Sequence, residues 1–96
     1  MKGYLILDLK VENYAEFKVY IEKIPAFIEK HGGRYIVQGV VPEVMEGDWQ
    51  PERVVVLEFP SPSEAKEFLN DPEAQPLFAI RHKATVSKLI LAEGCV

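Results

Sequence analysis

Val54 to Phe59 is a β-branched and aromatic run with Pro51 before it and Pro60 after it, a pattern that specifies a short strand and excludes a helix. Val55, Leu57 and Phe59 project to one side, and Val54, Val56 and Glu58 to the other. A strand that is apolar on both faces belongs in the middle of a sheet whose two faces are both covered. The exception is Glu58, because a carboxylate beside Val54 and Val56 must be paired, hydrogen-bonded, protonated or next to a wet cavity. Glu58 is therefore the first candidate functional residue.

The rest of the chain can be arranged around that strand. Tyr4 to Val11 alternates as a first strand, with Leu5, Leu7, Leu9 and Val11 on one face and Tyr4, Ile6, Asp8 and Lys10 on the other. Asn13, with Glu16 three positions on, reads as a helix cap. Tyr14, Phe17, Ile21, Ile24 and Ile28 then form an apolar stripe, Pro25 predicts a bend, and Gly32-Gly33 predicts a left-handed stop. Arg34 to Val41 reads as the second strand, with Tyr35, Val37 and Val41 on one face and Arg34, Ile36, Gln38 and Val40 on the other. After the turn-rich loop that holds Trp49 and the central strand, Ser61-Pro62-Ser63-Glu64 starts a helix. Asp71-Pro72 starts a further helical segment carrying Leu77, Ile80 and Ala84, and Ser87 to Glu93 is the last strand.

This order is β-α-β-β-α-β, an α+β ferredoxin-like arrangement in which residues 1–96 form a single domain and helices cover one face of a four-stranded antiparallel sheet. Two helices would bury Leu5, Leu7, Leu9, Val55, Leu57, Phe59, Leu89 and Leu91. The open face would then carry Ile6, Ile36, Val40, Val54, Val56 and Ile90, more apolar surface than a monomer leaves in water. A homodimer through that face is the expected partner arrangement.

Charge and cysteine usage narrow the function. With 15 acidic against 11 basic residues, the chain lacks the footprint of a nucleic-acid or anionic-membrane binder. An RNA-binding reading of this topology also needs aromatic side chains on the open face, where only Tyr4 is assigned. The start Met1-Lys2-Gly3-Tyr4 has no signal-peptide pattern, and no stretch is apolar and long enough to span a bilayer. The lone Cys95 has no disulfide or metal partner, which fits a cytoplasmic location. No His, Cys and carboxylate spacing meets a metal template, so neither metal nor cofactor is expected.

The segments Glu46-Gly47-Asp48-Trp49, Pro51-Glu52-Arg53, Glu58-Phe59-Pro60-Ser61, Asp71-Pro72-Glu73, Arg81 and Leu91-Ala92-Glu93-Gly94 resemble the domain of unknown function 1330 family over nearly the whole chain. The resemblance implies a place in the dimeric α/β-barrel superfamily, where two ferredoxin-like sheets pack face to face. That superfamily includes cofactor-free oxygenases, haem-handling enzymes, lactone isomerases and ligand binders without turnover, so the fold does not choose a reaction. Family members often carry an arginine followed by glycines in the second strand, where this chain has Gln38-Gly39-Val40.

The candidate catalytic residues are Glu58 and Asp8, placed on the same face of adjacent central strands, where two carboxylates can share a proton and act as acid or base. Pairing with Arg34, Lys10 or Lys88 is the structural alternative. Arg53, Trp49, Arg81 and Gln38 are candidate contacts for a small organic ligand, with Arg53 placed to stack on Trp49 or clamp a carboxylate. His31 is accounted for by the helix dipole, and His82 as a solvated helix residue. Two functions follow from this reading: a metal-independent acid/base enzyme, or a binding or regulatory dimer without turnover. A structural module with a filled interior is the third.

Overall fold

Seven elements alternate along residues 1–96, all of which the computed structural model describes: β1 (Gly3–Val11), α1 (Tyr14–Lys30), β2 (Arg34–Val40), β3 (Arg53–Phe59), α2 (Pro62–Leu69), α3 (Gln75–Ala84) and β4 (Thr85–Glu93). The sheet order is β2-β3-β1-β4 with every neighbouring pair antiparallel, so the apolar strand β3 and the alternating strand β1 are central. This is the ferredoxin-like α+β fold that the element order predicts. The helix layer has three members instead of two, because the chain turns between Asn70 and Ala74 before α3 begins.

Local chemistry sets the helix ends. The Asn13 side chain accepts from the Glu16 backbone N–H at 3.1 Å, and the Ser61 hydroxyl accepts from that of Glu64 at 3.2 Å. α1 runs through Pro25 as one helix and stops at Gly32, whose φ of +77° is the left-handed value expected for a glycine stop. The buried stripe of α1 is Phe17, Tyr20, Ile24 and Ile28. Tyr14 and Ile21, expected on that stripe, are exposed; the inward face is rotated toward Tyr20.

Leu5, Leu7, Leu9, Leu57 and Phe59 lie under these helices. Phe68 anchors the layer, its ring 5.2 Å from that of Phe59 and 5.3 Å from that of Phe78, and Phe59, Phe68, Leu5 and Ile24 are the largest fully enclosed side chains.

β2 departs from simple alternation. Tyr35 pairs with Leu57 but Val37 pairs with Val56, and Gln38 pairs with Val55 but Val40 with Val54. Each skipped residue is a bulge, the second at Gly39 with φ +67°. The bulges reverse two expected faces: Val37 lies level with the open-face residue Val56, and Gln38 with the helix-side residue Val55.

Asp71 holds the turn between α2 and α3 to the end of α1. Its buried carboxylate accepts from Lys30 Nζ and His31 Nε2, each at 2.8 Å, and from the Glu73 backbone N–H at 2.9 Å. His31 is thus a hydrogen-bond partner of Asp71, and not only the helix-dipole complement expected for it. The Lys30 and His31 hydrogen bonds hold the Asp71 carboxyl well below the usual carboxylate range, against the opposing effect of desolvation. A folded-state pKa below the unfolded one gives stability that is present above about pH 4 and is lost as pH falls further toward the folded value. Asp71→Asn is therefore expected to melt several degrees below wild type at pH 7, with the gap narrowing below about pH 4, where Asp71 of the unfolded chain takes up a proton while that of the folded protein stays ionised. Parallel melts from pH 7 to pH 3 test this, and a gap constant with pH would remove the clamp from the account.

Candidate functional site

The two faces of the sheet hold different chemistry. On the open face an apolar row crosses all four strands, from Val37 through Val56 and Ile6 to Ile90. Polar residues flank it at both ends. At one end Glu58 lies opposite Tyr4 and Arg34; at the other Asp8 lies opposite Val54 and Lys88.

This register corrects the shared-proton expectation. Glu58 pairs with Tyr4, and Asp8 stands four residues farther along β1, about 13 Å at a strand rise near 3.3 Å per residue. Carboxylates so far apart do not share a proton. Glu58 instead accepts from the Tyr4 hydroxyl at 3.2 Å and from Arg34 Nε at 3.1 Å, and pairs with Lys2 at 3.4 Å. Desolvation pushes the Glu58 carboxyl up, but Lys2 and Arg34 together outweigh it and hold the group below its usual value. Glu58 is therefore ionised at neutral pH, the state of a base or an ion-pair member and not of an acid. Asp8 accepts from the Trp49 indole N–H at 2.8 Å, which pins the loop before β3 over this end of the sheet. Arg53 does not stack on Trp49; its guanidinium donates to the Gly39 carbonyl at 3.3 Å.

On the helix face, between the sheet and the helices, lies a cavity of about 370 Å³. Fifteen of its nineteen lining residues are hydrophobic, and the other four are Gln38, Gly39, Arg53 and Arg81. Leu5, Leu7, Leu9 and Leu57 give the floor; Phe17, Tyr20 and Phe68 give the roof. The exposed lining residues Tyr14, Ile21, Gln38 and Arg53 mark its mouth, between α1 and the β2–β3 side of the sheet. The bulge at Gly39 is what brings Gln38 to this face.

Arg81 occupies a core position of α3, on the inward face with Leu77, Phe78 and Ala84. It is only 5% exposed and donates to the Tyr20 hydroxyl at 3.4 Å, with the neighbouring exposed His82 as its other polar contact at 3.3 Å. Burial raises the Tyr20 phenol, partly offset by Arg81, and burial with the neighbouring Tyr20 pushes Tyr35 up to about 12, so both phenols stay protonated and can donate.

Of the six residues singled out in the sequence, Gln38, Arg53 and Arg81 are together on this cavity, and Asp8, Glu58 and Trp49 lie across the sheet from it. Sequence periodicity missed Tyr20 and Tyr35 as site residues. Tyr20 had a usable signal, since it continues the spacing from Phe17 to Ile24.

A family model described as Domain of unknown function (DUF1330) matches residues 2–95. Among solved structures, the chain is similar to RPA0582, a protein of unknown function from Rhodopseudomonas palustris, at 19% identity and a TM-score of 0.79, covering 99% of this chain and 83% of that one. It is also similar to SnoaB, a cofactor-independent oxygenase from Streptomyces nogalater, at 17% identity and a TM-score of 0.70, covering 99% and 94%. The de novo designed protein Foldit4 shares the fold at 7% identity and a TM-score of 0.62, covering 96% and 97%. No curated protein matches the chain. At these identities the likeness is one of fold, and a reaction must be argued from the site.

Proposed function

This chain belongs to the DUF1330 family, and from that premise we propose that it binds a small, largely apolar organic molecule in the cavity between its sheet and its helices, working as a homodimer joined through the open sheet face. The observation that carries the ligand reading is the cavity itself. A space of about 370 Å³ with apolar walls and a few polar groups at defined points has the size and character of a small-molecule site, whereas close-packed cores leave few voids larger than a water molecule. The dimer reading rests on the row Val37, Val56, Ile6 and Ile90, together with the exposed Ile36, Val40 and Val86, which no helix of the same chain covers. No helix is long and apolar enough to cross a membrane.

Catalysis is the second reading, favoured by the fold shared with SnoaB, itself a cofactor-independent oxygenase. No aspartate or glutamate lines the cavity, so Glu58 and Asp8 would serve as bases only for a substrate that reached the open face inside the dimer. Turnover that fell in Glu58→Gln or Asp8→Asn at unchanged dimer mass would place the chemistry there.

A thermal-shift screen of the purified protein against a metabolite library tests the ligand reading, because any molecule that binds only the folded state raises the midpoint. Stabilisation is expected from compounds with an apolar ring or chain, and Leu89→Trp, which fills the cavity from β4, should abolish it. Hits that stabilise wild type and Leu89→Trp equally would move the site elsewhere, and a screen without hits would count against a ligand.

A further inference from the structure

We infer that the ligand of this cavity is a small organic carboxylate whose charged head docks on Arg81 while its apolar body fills the space above the sheet; the inference rests on reading the cavity as a ligand site. Arg81 is a buried cation without an anion. The ion pairs of the protein involve Lys2, Lys30, Arg34 and Lys83, and none involves Arg81. Its two polar contacts, to the Tyr20 hydroxyl and to His82 Nε2, are long and bring no negative charge, and its Nε–H is buried with no acceptor at all. The Tyr20 and Phe78 rings, 5.7 and 5.5 Å from the guanidinium carbon, offset part of the desolvation but leave the fork of donors unfilled.

An arginine cannot shed its proton to escape this cost, as a buried lysine can. The site is therefore incomplete until an anion arrives. The lining points the same way, since it holds two arginines and no carboxylate, and the Tyr20 and Tyr35 hydroxyls are available to donate. A planar carboxylate accepts two parallel hydrogen bonds from a guanidinium. It also matches a single buried positive charge, whereas a phosphate dianion would stay half neutralised among apolar walls. Arg53, at the mouth, adds a second positive charge that attracts such a ligand on approach.

The test uses 2-naphthoate and its neutral isostere 2-naphthamide, bicyclic probes suited to a cavity of this volume. Their affinities are measured by calorimetry on the full chain, on Arg81→Met and on Arg81→Lys. Wild type should bind the carboxylate about tenfold or more tighter than the amide, the difference expected of a charge-assisted over a neutral contact. Arg81→Met should lose the preference for the carboxylate over the amide, while Arg81→Lys should keep part of it. Without ligand, Arg81→Met should melt at or above the wild-type temperature, because an uncompensated buried charge has been removed. Equal wild-type affinities for the two probes, a preference that survives in Arg81→Met, or a marked fall in that variant's melting temperature would overturn the inference and leave the cavity reading standing. Failure of both probes to bind wild type would remove the cavity reading as well.

Discussion

Val56→Asp is expected to leave the protein folded and monomeric at micromolar concentration, where the proposed interface makes a dimer the expected state of wild type. Val56 sits at the centre of the open face, paired with Ile6 on one side and Val37 on the other, so its side chain contributes to the proposed interface and not to the core under the helices. A twofold interface presents each such residue twice, and two carboxylates would enter an apolar patch with no cation beside them. Stripping water from an unpaired ion has an effective penalty of several kcal/mol. Since about 1.4 kcal/mol changes an equilibrium constant tenfold, the dissociation constant should rise at least roughly a hundredfold. Light scattering gives the mass, and far-ultraviolet circular dichroism checks that the fold is kept. A wild type already monomeric, or a variant that stays dimeric, would sink the proposed interface and leave the apolar row in need of another cover.

The fold was legible because local signals agreed with one another. Pro51 and Pro60 bounded β3, Asn13 and Ser61 started α1 and α2, and Gly32 stopped α1 where the stripe ran out. The site was only partly legible. Period-2 reading assumes unbroken alternation, and the bulges in β2 move Gln38 to the helix side, a change that a pairing partner reveals and a single strand does not. The distance between Asp8 and Glu58 depended on register, which two sequences of alternating residues leave free. Arg81 was flagged on general grounds, but its isolation from any carboxylate is a fact of the packed structure and has no signature in spacing. The cavity is of the same kind, since it arises where α1, α2 and α3 fail to fill the space above Leu7 and Leu57.

Phe68→Ala is expected to cause the largest loss of stability of any change discussed, and to enlarge the ligand site at the same time. Phe68 is fully enclosed, packs at a tilt against Phe59, meets Phe78 and His31 edge to face, and also forms part of the cavity wall. Truncating a buried phenylalanine to alanine costs about 3–5 kcal/mol, through lost apolar transfer and the void left behind. In a domain of this length that lowers the melting midpoint by on the order of 15–35 °C. Here the void does not stand alone, because it opens into space that is already empty. A neutral aromatic ligand can then occupy both, and mass action makes the gain in stability grow with its affinity. The neutral 2-naphthamide should therefore raise the midpoint of Phe68→Ala by more than it raises that of wild type. Thermal melts of both proteins across a concentration series measure the difference. An equal or smaller shift in the variant would mean that the helices collapse into the vacated space, and that Phe68 is not a wall between the aromatic core and the ligand site.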